Sequence, residues 1–469
     1  MSHSRLTTLD ASFLEVESPC AHMHVGWAAL FRPPPERATP TFEELRDHIA
    51  SRLGRAPRYR QKLAHVPLDI NDPVWVDDGE FDVCRHVRRA PSPDFNASID
   101  QVMSTQLDRD RPLWETWVSD ELADGRIGVV GKAHHAMVDG LAAVELASLM
   151  LDPGPETPAP APDGWRPASG PGSAKLVLDG LVDRAGEAVD AARWSLELIR
   201  RPQGLLDLPG EWLRGAQALL DALRPADANT GLNEPISSRR HLARVHRPLS
   251  DLKRVRSRFG TTINDVLLAV AAGGVRQFLQ RRGGNPVPLK TMVPVSVRSN
   301  NGGGEFGNQI SFVFVDLPCD EPDPVRRLMT IHEDVDERKR DGEPEIADRV
   351  LKAFAYAPRT VRKVLSRVIA SPRTFNLVVS NIPGPPEPMY MLGCELEEAY
   401  PVVPLADGHG VSIGLTTIGD QAFFGIYADR RSLPDADLLA GCLERSIDEL
   451  VELSDRESLH LVPALNGGS

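Results

Sequence analysis

Apolar positions along this chain group into two halves of short strand-like runs and longer helical ones, separated by a stretch with no period at all. In the first half, Arg126 to Ala133 (RIGVVGKA) has strand character, and Leu141 to Leu151, rich in Ala and Leu, has helical character. In the second half, Thr262, Ile263, Asn264 and Asp265 form a small polar cap ahead of VLLAVAAGGVRQFLQRR, a helix so apolar that burial is expected. Strands are predicted at Leu289 to Val297, Ile310 to Asp316, Phe375 to Val379, Val411 to Ile418 and Ala422 to Ala428, and helices over 323–340, 346–369 and 435–453. The elements alternate irregularly, without a regular βαβ repeat, so each half reads as mixed α/β with a largely mixed sheet.

Residues 153–174, PGPETPAPAPDGWRPASGPGSA, hold too much Pro and Gly for a helix or sheet and read as a surface linker. Two amphipathic patterns follow, one with Leu178, Leu181, Val182, Ala185 and Val189 on a single face, the other from Glu211 to Leu223. Such helices pack on the two halves or lie on a membrane surface, and packing is the commoner fate. The chain thus divides into residues 1–152, a connector over 153–235, and 236–469.

Length and composition narrow the function. A chain of 469 residues exceeds one compact core, and 41% hydrophobic with 25% charged residues is ordinary for a soluble protein. The net charge of −13 argues against general nucleic-acid binding, which needs a basic footprint. No apolar run is long enough to span a bilayer, and the start MSHSRLTTLDASFLEVESP lacks the basic and apolar regions of a secretory signal. The five cysteines, Cys20, Cys84, Cys319, Cys394 and Cys442, are scattered, so free and buried thiols in a reducing cytoplasm are expected.

The richest local signal is HHAMVDG, which puts His134, His135, Asp139 and Gly140 at one strand-to-helix turn. On an extended backbone His135 shares a face with Ile127 and Val129, and His134 shares the other with Val130 and Lys132. Adjacent strand residues diverge, so the pair is a poor zinc site and no metal is expected. Two other motifs fail on context. Gly302, Gly304 and Gly307 fit G-x-G-x-x-G, but a strand pattern follows them where a dinucleotide site needs a helix. Gly410, Ser412 and Gly414 fit G-x-S-x-G, but Ser412 lies inside an alternating strand run, and the chain after it leaves little room for an acid and His460 to complete a triad.

HHAMVDG resembles the HHxxxDG signature of the acyltransferase superfamily that includes chloramphenicol acetyltransferase and the condensation domains of peptide synthetases. Within it the chain resembles the bacterial wax ester synthase/diacylglycerol acyltransferase family, through LDASFLEVESPCAHMHVG, RPLWE at Arg111 to Glu115, Asn264 with Asp265, PVSVR at Pro294 to Arg298, GNQ at Gly307 to Gln309 and SNIPGP at Ser380 to Pro385. The resemblance spans both halves and weakens over the linker and its helices.

What the resemblance implies is two pseudo-symmetric chloramphenicol-acetyltransferase-like subdomains with mixed sheets, joined by a helical linker, with a tunnel between them. Long-chain acyl-CoA would serve as co-substrate, without a separate cofactor, and diacylglycerol or a long-chain alcohol as acceptor. The resemblance makes His135 the general base, acting directly without an acyl-enzyme, with His134 in support. A neutral imidazole with a pKa near the working pH suits that task. Asp139 would hold the loop or orient the ring, with Arg298 as candidate partner, and Gly140 would let the backbone turn. Asn264 reads as a polar group lining the centre or as a helix cap; with Asp265, Asn381 and Gly384 it represents the second half. Pro112, Leu113 and Trp114 read as scaffold. A cytoplasmic protein held peripherally at the inner membrane or lipid bodies is expected, with an acceptor such as a sugar, polyol or carrier-bound amine, or a non-catalytic role at lipid bodies, as the rival readings.

Overall fold

The strand around the histidines is the spine of the first half. In the computed structural model, which describes residues 4–120, 122–137, 150–159, 163–182, 186, 224–226, 230–296, 310–340, 342 and 359–456, all residues of Ile127–His134 are buried. Covered on both faces, this strand reads as a continuous apolar run. Its one long cation, Lys132, is satisfied by the carbonyls of Val102 at 3.0 Å and Thr105 at 2.7 Å and by Glu115 at 3.2 Å.

The first half supplies β1 (Ser4–Arg5), β2 (His24–Arg32), β3 (Gln61–Ala64), β4 (Val74–Asp77), β5 (Val87–Arg89), β6 (Trp114–Ser119) and β7 (Ile127–His134). It also supplies helices α1 (Thr8–Val16), α2 (Phe42–Arg52) and α3 (Phe95–Met103), each opened by a Thr or Asp cap. The second half supplies β8 (Arg240–Pro248), β9 (Leu289–Ser296), β10 (Ile310–Leu317), β11 (Leu377–Ile382), β12 (Tyr390–Met391), β13 (Cys394–Val402), β14 (Val411–Ile418) and β15 (Gln421–Asp429). Its helices are α4 (Leu249–Phe259), α5 (Ile263–Arg281), α6 (Pro324–Arg340), α7 (Arg359–Ile369) and α8 (Ala436–Arg456).

Two six-stranded mixed sheets result, ordered β12-β13-β2-β7-β6-β5 and β10-β9-β11-β14-β15-β8, beside a small sheet β1-β4-β3. The mixed α/β class expected from the sequence is observed. The boundary near residue 236 needs one correction: β12 and β13 leave the second half and complete the first sheet, with Val402 paired to Gly26 and Ala399 to Ala29. Leu242, Phe423 and Tyr427 likewise join the first hydrophobic core. The two halves interlock.

The seam depends on two missing side chains. Gly414 and Gly425 are paired across β14 and β15, and Pro401 of β13 presses on both. A Cβ on Gly425 would stand 2.0 Å from the Pro401 carbonyl oxygen, and one on Gly414 would stand 2.9 Å from its ring. Polar ties close the rest: His241 and Arg430 each reach Asp100 of α3 at 2.8 Å, and the Arg240 N–H donates to the Ser104 hydroxyl at 2.8 Å.

Several elements differ from the sequence expectation. The strand expected from Phe375 begins at Leu377, and Phe375 itself stacks on His409, the ring centroids being 4.1 Å apart. The helix drawn over 346–369 is described only from Arg359 onward. Of the five cysteines, all free, Cys319, Cys394 and Cys442 are buried, but Cys84 is exposed and Cys20 partly so, which corrects the expectation of uniform burial. Within residues 173–182, which are helical, Leu176 enters a small core with Val66 and Val74 and Gly180 is buried, whereas Leu178, Leu181 and Val182 stay exposed; Ala185, Val189 and the pattern from Glu211 to Leu223 lie outside the described residues. Among the described residues no helix is long and apolar enough to cross a membrane.

Candidate active site

Strand β7 ends at His134, and the turn that follows is pinned by backbone bonds from three directions. The His134 N–H donates to the Leu113 carbonyl at 2.9 Å, the His135 N–H to the Met23 carbonyl at 3.0 Å, and the Met137 N–H back to the His134 carbonyl at 2.9 Å. Met23 holds a left-handed backbone, φ 50°, which costs a non-glycine residue about 1 kcal/mol. The acceptor for His135 therefore sits on a strained residue.

The two imidazoles have different surroundings. His134 is buried, its Nδ1 accepts the Ala136 N–H at 3.0 Å, and in that arrangement Nε2 holds the ring proton. That nitrogen faces the Glu17 carboxylate at 3.5 Å. Glu17, just past the end of α1, also accepts from Gln106 at 2.6 Å and from Arg109. Burial alone would raise the Glu17 carboxyl, but its bonds to His134 and Gln106 and the charge of Arg109 hold it below the ordinary carboxylate value.

His135 keeps part of its surface accessible. The Phe13 ring of α1 lies nearly parallel to it, centroids 3.7 Å apart and planes inclined by 13°. Its Nδ1 is buried, with no hydrogen-bond partner among the described residues. Burial pushes this imidazole down to about 4; its own backbone pulls the other way, and the neighbouring His134 adds to the lowering. The ring is therefore neutral at physiological pH, and it is a weaker base than one poised near the working pH.

Further histidines and one arginine crowd behind the turn. His24, opposite His134 in the sheet, accepts the Leu107 N–H at 3.3 Å and is held well below its ordinary pKa by burial and by Lys132. Buried Arg240 of β8 pairs with Asp429 at 3.1 Å and donates to the Cys20 carbonyl, bringing the second sheet to the approach of β2. Among the described residues no group of three His, Cys, Asp or Glu is placed to hold a metal ion.

The other residues singled out in the sequence fall into three groups. Pro112, Leu113 and Trp114 are buried beside the turn: the Leu113 carbonyl anchors His134, and Trp114 donates from Nε1 to the Tyr59 carbonyl at 2.8 Å and stacks on His86. Asp139, Gly140 and Arg298 lie outside the described residues, as does the helix drawn from Leu141 up to residue 149. Asn264, Asp265, Asn381 and Gly384 are described, and among the described residues none of them makes a hydrogen bond or ring contact with His135.

Thr262, not Asn264, caps α5, and Asp265 closes the capping box, its carboxylate accepting the Thr262 N–H at 2.9 Å and pairing with His332 at 2.8 Å. Asn381 lies in β11 opposite Leu415, and Gly384 is where a Cβ would stand 2.0 Å from the Thr417 carbonyl oxygen. Phe13, Glu17, Met23 and Arg240 were not singled out. Phe13 and Glu17 lie in SFLEVE, whose pattern shows an amphipathic helix but not which ring or carboxylate turns toward β7. Ser412 is buried in β14, its hydroxyl donating to the Val403 carbonyl at 2.7 Å, as a strand residue and not a nucleophile elbow.

A first condensation domain of the calcium-dependent antibiotic synthetase, solved with a substrate analogue, superposes with a TM-score of 0.61 at 15% identity, covering 97% of this chain and 96% of that one. The fold is thus the paired-sheet architecture of condensation domains. The wax ester synthase/diacylglycerol acyltransferase of Marinobacter aquaeolei VT8 superposes with a TM-score of 0.68 at 26% identity, over 96% of this chain and 100% of that one. A probable diacylglycerol O-acyltransferase of Mycobacterium tuberculosis H37Rv is 32% identical over 471 residues, 98% of each chain. Residues 6–267 match the wax ester synthase/diacylglycerol acyltransferase catalytic domain and residues 306–451 the C-terminal domain of that family. The chain belongs to the wax ester synthase/diacylglycerol acyltransferase family and is an acyltransferase.

Proposed function

We propose that this chain moves a long-chain acyl group from acyl-CoA to the free hydroxyl of diacylglycerol, giving triacylglycerol, with fatty alcohol as a second acceptor. The observation that carries the reading is the His135 ring: accessible in part, neutral through burial, and fixed at the end of β7 by Phe13 and the Met23 carbonyl. The relatives named as diacylglycerol O-acyltransferases support the acceptor.

An alcohol is a far weaker acid than an imidazolium, so its proton must leave as the oxygen attacks the thioester carbon. With Nδ1 buried, Nε2 of His135 is the nitrogen left to receive that proton. The oxygen–carbon bond forms, the carbon–sulfur bond breaks, and the imidazolium returns the proton to the departing thiolate. No acyl-enzyme and no separate cofactor enter this scheme. His134, held by the Ala136 N–H and facing Glu17, keeps the turn in place. Because the acceptor is lipid-soluble, peripheral attachment to a membrane or lipid body goes with the reading.

The test supplies labelled palmitoyl-CoA with diacylglycerol and hexadecanol together, and separates products by thin-layer chromatography. Labelled triacylglycerol is expected, with less wax ester. His135→Ala should lower the rate by about a hundredfold or more, the size of a general-base contribution. Full activity in that variant, or label on neither lipid, overturns the proposal.

A further inference from the structure

The large apolar side chains left exposed among the described residues come from three segments, and the structure brings the three together. Val361, Val364 and Val368 form a stripe along α7. Leu178, Leu181 and Val182 lie on the helical residues 173–182, and Leu68 projects from the loop between β3 and β4. Their exposures run from 42% for Val368 to 89% for Leu68. Such side chains scattered singly would mean little; three groups of them around one loop point to a binding surface.

The loop over 66–72 is the common neighbour. A Cβ on Gly180 would touch Val66, Ile70 and Asn71, each at 3.5 Å, so the 173–182 helix rests on this loop. From the other side Arg362 of α7 pairs with Asp72 at 2.6 Å. Leu68 itself has a left-handed backbone, φ 61°, an unfavourable conformation for leucine, and its side chain is spent in water.

Charge tells which partner. In a chain of net charge −13, α7 (RTVRKVLSRVI) carries four basic residues and no acid. Lys363 and Arg367 are exposed beside the valine stripe, while Arg362 is taken up by Asp72 and by the Thr8 hydroxyl at 3.1 Å. A short helix with an apolar stripe and a basic flank suits the plane of an anionic lipid surface, apolar side down. The placement also serves the site: α7 packs on α1, and α1 carries Phe13 onto His135.

We propose that α7, Leu68 and the helical residues 173–182 form the face by which this protein docks on anionic lipid, at the end of the molecule where α1 covers the active-site histidine. This rests on the reading of a lipid-soluble acceptor, but vesicle binding is measured without turnover, so the two can fail separately.

The experiment floats the full chain with phosphatidylcholine vesicles, with and without phosphatidylglycerol. Binding to the anionic vesicles is expected, weakened at least about tenfold in Lys363→Ala/Arg367→Ala and weakened by high salt. Val361→Ser/Val364→Ser/Val368→Ser should lose binding while keeping the parent's melting temperature and its acyl transfer to a water-soluble short-chain alcohol; transfer to vesicle-borne diacylglycerol should fall. Equal binding by parent and serine variant overturns the proposal. So does equal binding to neutral and anionic vesicles, or a parent dimer in sedimentation that the serine variant loses, which would make a second copy the occupant.

Discussion

The Phe13 ring stacks on the His135 imidazole with centroids 3.7 Å apart, so the first helix of the chain roofs the strand end that carries the proposed base. One aromatic face thus does two things to that imidazole: it fixes the ring plane and excludes water from one side. The same exclusion lowers the ring's proton affinity.

Removing the roof should reverse both effects. Phe13→Ala is expected to let His135 rise from about 4 toward the ordinary histidine value of 6.5, and to slow turnover by roughly tenfold as the ring loses its orientation. A histidine-resolved NMR titration and a pH–rate profile read the two separately. An acid limb that stays where the parent has it would show that Phe13 does not set the ring's environment.

The acid limb of the parent has a defined place. A base must be neutral, so activity should be level from about pH 6 to 8 and fall only as pH approaches the lowered value near 4. Stability moves with it. His135 and His409 are each held at about 4 in the folded chain and return to about 6.5 on unfolding, so the unfolded state takes up their protons first. Stability is whole above pH 6.5 and drains as pH falls toward 4. Melting temperatures from pH 7.5 to 4.5 check this, and a flat series would contradict it.

Glu17 is the carboxylate that faces His134 and gathers Gln106 and Arg109. Glu17→Ala removes the carboxylate that the His134 Nε2 faces at 3.5 Å and to which Gln106 and Arg109 donate, for an expected loss of about 1–3 kcal/mol in stability and a lower kcat with little change in KM. Glu17→Gln should recover part of both. Urea unfolding beside steady-state kinetics measures them, and an Ala variant matching the parent in each would remove Glu17 from the support of the turn.

Arg52 and Asp152 make a two-pronged pair at 2.7 and 2.8 Å, with both side chains 3% exposed. Asp152 also exchanges backbone bonds with Tyr390. Asp152→Ala leaves a buried guanidinium unpaired and should cost about 3–5 kcal/mol, whereas Arg52→Met with Asp152→Leu should recover most of that. Urea midpoints of the three proteins decide; a single variant as stable as the parent would show the pair to be dispensable.

The sequence displayed some of this architecture and concealed the rest for physical reasons. Strands such as Val411–Ile418 and Ile310–Leu317 stood out because both are rich in β-branched or aromatic residues, and in the second the buried Val313, Val315 and Leu317 alternate with half-buried neighbours. Strand β13 (CELEEAYPV) did not: it has acids at Glu397 and Glu398 and a bulge between Leu396 and Glu398, and Arg32, Arg126 and the Tyr400 hydroxyl make those charges tolerable there. The paired histidines were legible from one turn of sequence. Phe13, Glu17 and Met23 were not, because their bearing on His135 is a matter of where α1 and β2 lie in space, which local pattern does not encode.

That late strand also governs the order of assembly. Until residue 402 has emerged from the ribosome, β2 has no neighbour on one side and stands as a bare edge, open to pairing with other chains. Severing the polypeptide anywhere in its connector should therefore yield an amino-terminal fragment that aggregates, whereas co-expressing the remainder should rescue it.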